Sequence, residues 1–388
     1  MSKHFETEAI RNQTERSQFS EHSTPLYLTS SFVFDDAEEM RLSFAEEKER
    51  NLYSRFTNPN TTEFVDKIVA MEGAEAGYAF ATGMAAIFSS FAALLNAGDH
   101  IVSCRSVFGS THGMFSNYLP KWNIETSYFK VNEVDLIEGL IKENTKILYI
   151  ETPTNPGLDI LDLELIGNIA KKHNLIFIVD NCFATPYIQQ PIKFGADLVI
   201  HSATKLIDGQ GRVLGGVTVG NKKLLREIYL FARNTGPAMS PFNAWVLSKS
   251  LETLSIRVEK HCENALKVAN FLEGNKNVKF VKYPFLKTHP QYEVAKTQMK
   301  LGGNIVAFEI KGGLEAGVAF LDKIKMCSLS ANLGDTRTIV SHPSSTTHGR
   351  LSIEDRLEVG ITDGLVRISV GLEHAEDIIA DIQQALEW

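Results

Sequence analysis

Short apolar runs alternate with helix-like stretches through the middle of the chain. Apolar runs separated by stretches of helical spacing are typical of a parallel sheet whose two faces are covered by helices. We therefore predict an α/β fold with a mainly parallel sheet. The runs are GYAFA, HIVSC, KILYIET, LIFIVD and DLVIHS, and the helix-like stretches cover residues 83–96, 111–121, 134–143 and 162–173.

The two ends of the chain have different patterns. The first sixty residues are polar and rich in turn formers, so residues 1–60 are predicted to form an N-terminal arm. The alternation stops near Gly220, and a long amphipathic stretch near 251–272 follows it. We predict a large domain over residues 61–249 and a smaller α+β domain over residues 250–388. The smaller domain has the strand-like runs VKFVKY, NIVAFEI and GLVRISVG and a helix-like stretch at 315–324.

The composition is that of an ordinary globular protein, and it narrows the class of partner. The chain has 388 residues and a formal net charge of −8, so it lacks the basic surplus that nucleic-acid binding needs. Its most apolar window, Phe80–Gly98, contains glycine and polar residues and predicts a buried helix rather than a membrane span. The first residues lack the apolar core of a signal peptide, and the four dispersed cysteines fit no zinc spacing. Both observations favour a cytoplasmic protein without a metal site.

Three features are expected at the carboxyl edge of the predicted sheet, where ligands bind in parallel α/β folds. Asp180 ends one strand, Lys205 follows another, and Gly83 and Met84 begin a helix. A lysine amine forms an imine with an aldehyde, an acid keeps a ring nitrogen protonated, and a helix N-terminus binds phosphate. Pyridoxal 5′-phosphate has all three groups, so the three features together predict this cofactor.

Each of these residues also has a plain structural explanation. Taken alone, Lys205 is an exposed loop lysine more often than a catalytic one. Asp180 could cap a helix or form a turn, and Gly83 could simply permit a tight turn. Ser202 and Thr204, beside the lysine, can add hydroxyl donors to the same phosphate. The order and placement of the whole set favour the cofactor site over these explanations.

A glycine-rich stretch offers another interpretation. GQGRVLGG, at residues 209–216, resembles a dinucleotide fingerprint, which must follow a strand and open a helix. Here the glycines are followed by the strand-like GGVTVG, and no acidic residue ends a next strand at the required spacing. The sequence therefore argues against a nicotinamide-dependent dehydrogenase.

An ordered set of motifs identifies a family. YSRFTNPN, FATGMAAI, ETPTNP, VDNCFATP, HSATK and LVRISVGLE occur in this order over nearly the whole chain. In this set the chain resembles the pyridoxal-phosphate enzymes of cysteine and methionine metabolism, of which cystathionine γ-synthase is a familiar member. The resemblance implies the aspartate aminotransferase-like fold, fold type I. Three further stretches look most like the O-succinylhomoserine sulfhydrylases of this family: RSVFGST, DGQGRVLGG and NLGDTRTIVSHPSSTTHGRLS.

The resemblance implies a role for each site residue. Lys205 matches the lysine that carries the cofactor, Asp180 the partner of its ring nitrogen, and Asn155 an asparagine near the ring. Arg367 and Asn332 match substrate contacts. A charge in an apolar strand is costly unless paired, and the substrate α-carboxylate would pair with Arg367; a structural salt bridge is the alternative. The phosphate cradle is matched by Gly83, Met84, Ser202 and Thr204.

The resemblance also implies an active site shared between subunits. Tyr53 and Arg55 match a pair that reaches from the N-terminal arm into the neighbouring subunit's site, where arginine can bind the phosphate bidentately. Tyr53 is also a candidate catalytic group. The alternative for Arg55 is a solvated charge on the arm. The family is typically a homotetramer built from two such dimers.

One position departs from the family pattern. Most members have a tyrosine in a YGGT-like motif, where the ring stacks on the cofactor and the hydroxyl can act as an acid. This chain has Phe108 there, which can stack but cannot donate a proton. Proton transfer would then fall to Lys205, with Tyr53 or the cofactor phosphate as possible partners.

The implied reaction is γ-replacement in methionine biosynthesis, in which O-succinylhomoserine and sulfide give homocysteine and succinate. Cystathionine γ-synthase, O-acetylhomoserine sulfhydrylase and methionine γ-lyase are alternatives on the same scaffold, and a non-catalytic binding protein is the alternative from another class. The succinyl group has a second carboxylate, which a cation should favour. Arg212 and Arg337, in the distinctive loops, are the candidates for that cation.

Overall fold

The computed structural model describes residues 3–347, 349 and 352–387, which include two β-sheets. Residues 348, 350 and 351, at the end of the last sulfhydrylase-like stretch, lie outside the described residues. The strands are β1 Ala76–Phe80, β2 His100–Cys104, β3 Glu125–Phe129, β4 Thr145–Glu151, β5 Ile176–Asp180, β6 Leu198–Ser202, β7 Gly216–Gly220, β8 Val278–Lys282, β9 Ile305–Ile310, β10 Ser328–Leu329, β11 Ile339–Ser341 and β12 Leu365–Ser369.

Seven strands form the larger sheet in the order β1-β7-β6-β5-β4-β2-β3. The strands from β6 to β3 in this order are parallel to one another, and β7 is antiparallel to both of its neighbours. The predicted mainly parallel sheet is therefore confirmed. Its central strands β4, β5 and β6 end at Glu151, Asp180 and Ser202, so these side chains meet at one edge of the sheet.

Helices pack against the larger sheet and connect its strands. Contacts join α3 to β1 and β7, α4 to β6 and β7, and α7 to β5, as the alternating pattern requires. The α-helices are α1 Phe5–Arg11, α2 Ala37–Phe44, α3 Pro59–Glu72, α4 Gly83–Leu94, α5 Gly109–Gly113, α6 Ile137–Leu140, α7 Leu163–Lys172, α8 Thr185–Ile188, α9 Lys222–Thr235, α10 Pro241–Leu251, α11 Leu254–Glu273, α12 Tyr292–Gln298, α13 Gly313–Lys323, α14 Ile353–Glu358 and α15 Ala375–Leu386.

The smaller sheet belongs to the C-terminal part of the chain and has the order β10-β11-β12-β9-β8. Helix α11 joins this part to the rest, because its first half packs in the larger core and its second half in the smaller one. Leu254 and Val258 belong to the larger apolar cluster, whereas Val268 and Leu272 belong to the smaller. The α/β fold with an added α+β part is thus confirmed, and the boundary between residues 249 and 250 stays a prediction.

Several local elements differ from the sequence expectation. The helix expected over 111–121 is a short α5 followed by a π-helical turn, Met114–Tyr118, and a 3₁₀ turn, Leu119–Trp122. Strand β3 was missed because ETSYF carries polar residues at the sheet edge, where one face is solvated. Strands β10 and β11 were missed because two- and three-residue strands carry no periodicity.

One buried carboxylate contributes several of the contacts between the N-terminal arm and the large domain. Glu63, on α3, accepts hydrogen bonds from the amide of Thr14 and the hydroxyls of Thr24 and Ser248. Trp245 adds a hydrogen bond from its indole to the carbonyl of Thr24.

In the described part of the chain, no helix combines the length and the apolar character that a membrane span requires.

Candidate active site

A cavity of about 280 Å³ opens at the carboxyl edge of the larger sheet and is closed on one side by the C-terminal part. It brings together nine of the twelve residues that the sequence proposed for the site. The nine are Gly83, Met84, Phe108, Asn155, Asp180, Ser202, Thr204, Lys205 and Arg367. The C-terminal wall of the cavity is formed by Ala331, Leu333, Thr347 and Arg367.

Lys205 lies in the turn that follows β6, with its amine in the cavity. Its Nζ donates a hydrogen bond to Asn332 Oδ1 at 2.6 Å. Burial lowers the pKa of Lys205, and the nearby charge of Arg367 lowers it further. A lower pKa increases the fraction of neutral amine, which is the form that acts as nucleophile and base.

Arg257, which was not among the predicted site residues, holds the turn that carries Lys205. Arg257, on α11, donates hydrogen bonds to the carbonyls of Leu206 at 2.8 Å and Ile207 at 3.2 Å. Gly334 lies so close that a Cβ there would be 2.6 Å from the amide nitrogen of Leu206. These contacts leave the backbone next to the lysine little room to move.

Asp180 and Glu151 form a pair of buried carboxyl groups on neighbouring strands. They are directly opposite each other in the register of β4 and β5, and both line the cavity. Asp180 accepts hydrogen bonds from the amide of Cys182 at 3.0 Å and the hydroxyl of Tyr149 at 3.4 Å. Burial raises the pKa of Asp180 to about 6, and burial together with the charge of Asp180 raises the pKa of Glu151 well above its usual value.

The start of helix α4 approaches the end of β6 without intervening side chains. Thr82 caps the helix by accepting a hydrogen bond from the amide of Ala85 at 3.0 Å. Gly83 follows, and a Cβ there would be 2.7 Å from the Cβ of Ser202. The first amides of a helix have no acceptor within it, so Gly83 and Met84 present N–H donors beside the Ser202 hydroxyl, as an anion site requires.

Arg367 is a buried cation on β12 that has no carboxylate partner among the described residues. Its guanidinium donates to the side chain of Asn155 at 3.0 Å and to the backbone carbonyl of Asn332 at 3.2 Å, and its Nε has no partner. Burial lowers the pKa of Arg367 to about 10. The arginine is therefore positioned to bind an anion that enters the cavity.

Phe108 stands at the mouth of the cavity with 43% of its surface exposed. Its backbone amide donates a hydrogen bond to Glu151 Oε2 at 2.6 Å, so the buried carboxyl holds the segment that carries the ring. Glu151 was not among the predicted site residues. Its signal was available, because KILYIET places an acid near the end of a predicted strand, much as LIFIVD does.

The other three predicted residues lie elsewhere or have different contacts. Tyr53 and Arg55 are exposed on the arm and do not line the cavity of their own chain. Arg55 donates a hydrogen bond to the carbonyl of Arg233 and lies over the ring of Phe56. Asn332 does not line the cavity, but its side chain accepts the hydrogen bond from Lys205 described above.

Neither arginine expected to bind a succinyl carboxylate lines the cavity of its own chain, so that expectation stays a prediction without support from the cavity lining. Arg212 forms an ion pair with the buried Asp208 at 2.9 Å. Arg337 forms one with Asp335 at 3.0 Å and is largely exposed. Both cations are already neutralised by carboxylates of their own loops, which the sequence could not reveal.

A larger cleft of about 860 Å³ lies near the amino end of β5 and contains none of the predicted site residues. It is bordered by Lys171, Lys193 and Lys223 together with the acidic Glu164 and Asp197. We nevertheless take the smaller cavity as the candidate active site, because several buried ionisable groups meet there.

A family model of Cys/Met metabolism PLP-dependent enzymes matches residues 6–387. The chain belongs to this family. It is accordingly an enzyme that depends on pyridoxal 5′-phosphate and acts by replacement or elimination at the γ-carbon of amino acids in cysteine and methionine metabolism.

Two relatives are equally similar to this chain and have different names. The O-succinylhomoserine sulfhydrylase of Pseudomonas aeruginosa is 44% identical over 98% of this chain and 95% of that protein. The L-methionine γ-lyase of Fusobacterium nucleatum subsp. polymorphum is also 44% identical, over 98% of this chain and 97% of that protein. Overall similarity therefore leaves the two reactions undecided.

A solved structure supports both the fold and the cofactor. A putative O-acetylhomoserine (thiol)-lyase from Campylobacter jejuni aligns over the whole of both chains with a TM-score of 0.96 and 33% identity. That protein carries the cofactor as a pyridoxyl-lysine phosphate at its position 205.

The residues present at the cavity fit this cofactor. Asp180 has no ion pair within the described part of the chain, so a protonated ring nitrogen would supply the missing charge. The amine of Lys205 is in the same cavity as the donors at the start of α4. The missing side chain of Gly83 leaves room for a phosphate against Ser202.

Proposed function

We propose that this enzyme replaces the acyl group of O-succinylhomoserine with sulfide and releases homocysteine and succinate. The observation that carries the proposal is Phe108, which stands at the cavity mouth without a hydroxyl. It bears on the choice between a sulfhydrylase and a methionine γ-lyase because the two reactions expel leaving groups of different basicity.

A carboxylate is a weak base and leaves without help, whereas a thiolate is a strong base that leaves well only if it is protonated. Carboxyl groups have pKa values of about 4 and thiols of about 8.5. Protonation by a positioned acid is worth roughly 10²–10⁴-fold for a basic leaving group. A cavity whose aromatic ring cannot donate a proton thus favours acyl esters of homoserine over thioethers such as methionine.

The other residues are assigned roles that match this reaction. Lys205 would hold the cofactor, which would supply an electron sink for a carbanion formed on the substrate. Lys205, once released, moves protons at the α-carbon, and its lowered pKa supports this role. Asp180 holds the ring nitrogen in its protonated form, and Arg367 binds the substrate α-carboxylate with Asn155 beside it.

The remaining parts of the proposal concern assembly and location. Tyr53 and Arg55 are assigned to the phosphate and substrate of a neighbouring subunit, which their exposure on the arm supports. The assembly is then a homotetramer of two site-sharing dimers. Four unpaired cysteines, three of them buried, support a reducing compartment such as the cytoplasm.

A product assay tests the reaction. Holoenzyme is given O-succinylhomoserine with sulfide, O-succinylhomoserine with cysteine, O-acetylhomoserine with sulfide, or methionine alone. We expect homocysteine from the succinyl ester and sulfide as the fastest product. Cystathionine as the main product, or 2-oxobutanoate from methionine at a comparable rate, would show that the proposed reaction is wrong.

The role of the aromatic position is tested by Phe108→Tyr. The new hydroxyl should accelerate elimination from methionine about tenfold or more, because it supplies the missing acid. Replacement on the succinyl ester should change by less than about threefold, since succinate needs no proton to leave. Leu214→Tyr is the matched control, because it places a phenol on another exposed part of the cavity lining. An equal gain from both variants would contradict the argument.

A further inference from the structure

Glu151 is a buried acid in the cavity for which the proposed chemistry has no use. It ends β4 directly opposite Asp180, and the two side chains are almost completely buried. Neither carboxyl group forms an ion pair with a described cation. A protonated ring nitrogen brings one positive charge, which balances one of the two carboxylates and leaves the other without a partner.

The hydrogen bonds indicate which carboxyl group is ionised. Asp180 accepts from two donors, the amide of Cys182 and the hydroxyl of Tyr149. Glu151 accepts from one, the amide of Phe108, and uses Oε2 to do so. More donors stabilise a negative charge better, so Asp180 is the carboxylate and Glu151 the acid.

The other ionisable groups around the two carboxyl groups do not change the assignment of Asp180 as the ionised group and Glu151 as the protonated one. His201, whose positive charge would lower the pKa of Asp180, is paired with the buried Glu72 at 2.6 Å. Tyr149 and Cys182 remain neutral because burial raises the pKa of each. The thiol of Cys104, on β2, likewise stays protonated, and burial raises its pKa to about 12.

We propose that Glu151 is a positioning residue that stays protonated in the working enzyme. Its carbonyl oxygen, Oε2, holds the backbone of Phe108, and its proton resides on Oε1. The acid thereby fixes the aromatic segment over the cavity without adding a second negative charge beside the cofactor ring. The proposal depends only on the use of pyridoxal phosphate, so it stands or fails independently of the choice of substrate.

Infrared difference spectroscopy of Glu151→Gln against the wild-type holoenzyme tests the proton directly. The C=O stretch of a protonated carboxylic acid should be present at neutral pH and missing in the variant. Glu72→Gln is the matched control, because it removes another buried glutamate of the same domain that is paired with a histidine. A band that disappears in Glu72→Gln but persists in Glu151→Gln would overturn the proposal.

The interaction between Glu151 and Asp180 is tested by following the C=O band of Glu151 in the Asp180→Asn variant. Without the neighbouring negative charge, Glu151 should ionise at a lower pH, so its band should disappear on titration at a lower pH than in the wild-type protein. An unchanged midpoint would mean that the two carboxyl groups do not interact.

The positioning role has a separate readout in the visible absorbance and affinity of the bound cofactor. Glu151→Gln keeps an acceptor for the Phe108 amide and should shift the pH midpoint of the absorbance by less than about 0.3 unit. Glu151→Leu removes the acceptor and should weaken cofactor binding about tenfold or more. A shift of a full unit in Glu151→Gln would show that an ionised Glu151 acts on the ring, and unchanged binding in Glu151→Leu would show that it positions nothing.

Discussion

The cavity has two sides that are built in different ways. Its floor consists of Gly83, Glu151, Asp180, Ser202 and Lys205, which lie at or next to the ends of elements in the larger sheet. Its C-terminal wall comes instead from loops and one strand of the smaller sheet, more than a hundred residues further along the chain. The floor holds carboxyl groups and an amine, whereas the wall holds an arginine, a threonine and two apolar side chains.

This difference separates the residues that we assign to the reaction from those that we assign to substrate binding. The position of a floor residue follows from the sheet, because parallel strands bring their carboxyl ends to one edge. The position of a wall residue depends on how two domains pack. We therefore expect changes in the floor to abolish the reaction and changes in the wall to weaken substrate binding.

The largest effect is expected from Lys205→Ala, which removes the amine of the floor. Activity should fall by at least about 10³-fold, because both the covalent attachment and the proton transfer are lost.

The Arg55→Ala variant should also lose most of its activity if the arm completes a neighbouring site. The comparison between floor and wall then extends to a third region, supplied by another subunit.

Mixing the two variants distinguishes an arm that acts within its own chain from one that acts in trans. Randomly mixed dimers of Lys205→Ala and Arg55→Ala should recover activity in about a quarter of the sites, since one site of each mixed dimer has both residues intact. Unmixed samples and a mixture of Lys205→Ala with itself are the controls. No recovery after subunit exchange would contradict the shared site.

The next effect is expected from Asp180→Asn, which should reduce activity by about 10²-fold or more because the ring nitrogen loses its anionic partner.

The Asp180→Asn change should also stabilise the folded protein when no cofactor is bound. The pKa of Asp180 is raised from 3.8 to about 6 in the folded state, so the folded protein binds this proton more tightly than the unfolded one. Its contribution to stability is therefore present below pH 4 and lost as the pH rises to 6.

Thermal unfolding of the cofactor-free wild-type and Asp180→Asn proteins measures this difference in stability. At pH 8 the variant should be more stable than the wild type, and the difference should shrink as the pH falls below about 6. A variant that is less stable than the wild type at pH 8 would show that the buried carboxylate is not a source of strain.

The sequence predicted the floor better than it predicted the wall. Four of the five floor residues, Gly83, Asp180, Ser202 and Lys205, were predicted from their places at strand ends and at a helix start. Glu151 was missed although it, too, lies near the end of a predicted strand. The contact of Lys205 with Asn332 joins residues 127 positions apart, and no local pattern encodes it. Arg257 was missed for the same reason, since it donates to carbonyl groups 51 and 50 residues away.

A smaller effect on chemistry is expected from Arg367→Gln, on the C-terminal wall. The substrate α-carboxylate would lose its cation, so KM should rise about 10²-fold, whereas the absorbance of the bound cofactor should stay unchanged. Arg367→Lys should recover part of the loss, because it keeps the charge but not the bidentate geometry. An equal fall in kcat with an altered cofactor spectrum would place Arg367 with the floor rather than with substrate binding.

The smallest effect is expected at the two arginines that the sequence first suggested for the succinyl group. Arg212 and Arg337 are each neutralised by a carboxylate of the same loop, Asp208 and Asp335. An ion pair of this kind leaves no net charge to attract a second carboxylate, so Arg212→Ala and Arg337→Ala should change the ratio of succinyl to acetyl ester turnover by less than about twofold. Stability is the control for Arg212→Ala, because its removal leaves the buried Asp208 unpaired and should lower the melting temperature. A preference that collapses in either variant, at unchanged cofactor content, would mean that the substrate draws the arginine away from its carboxylate and that the wall extends into these loops.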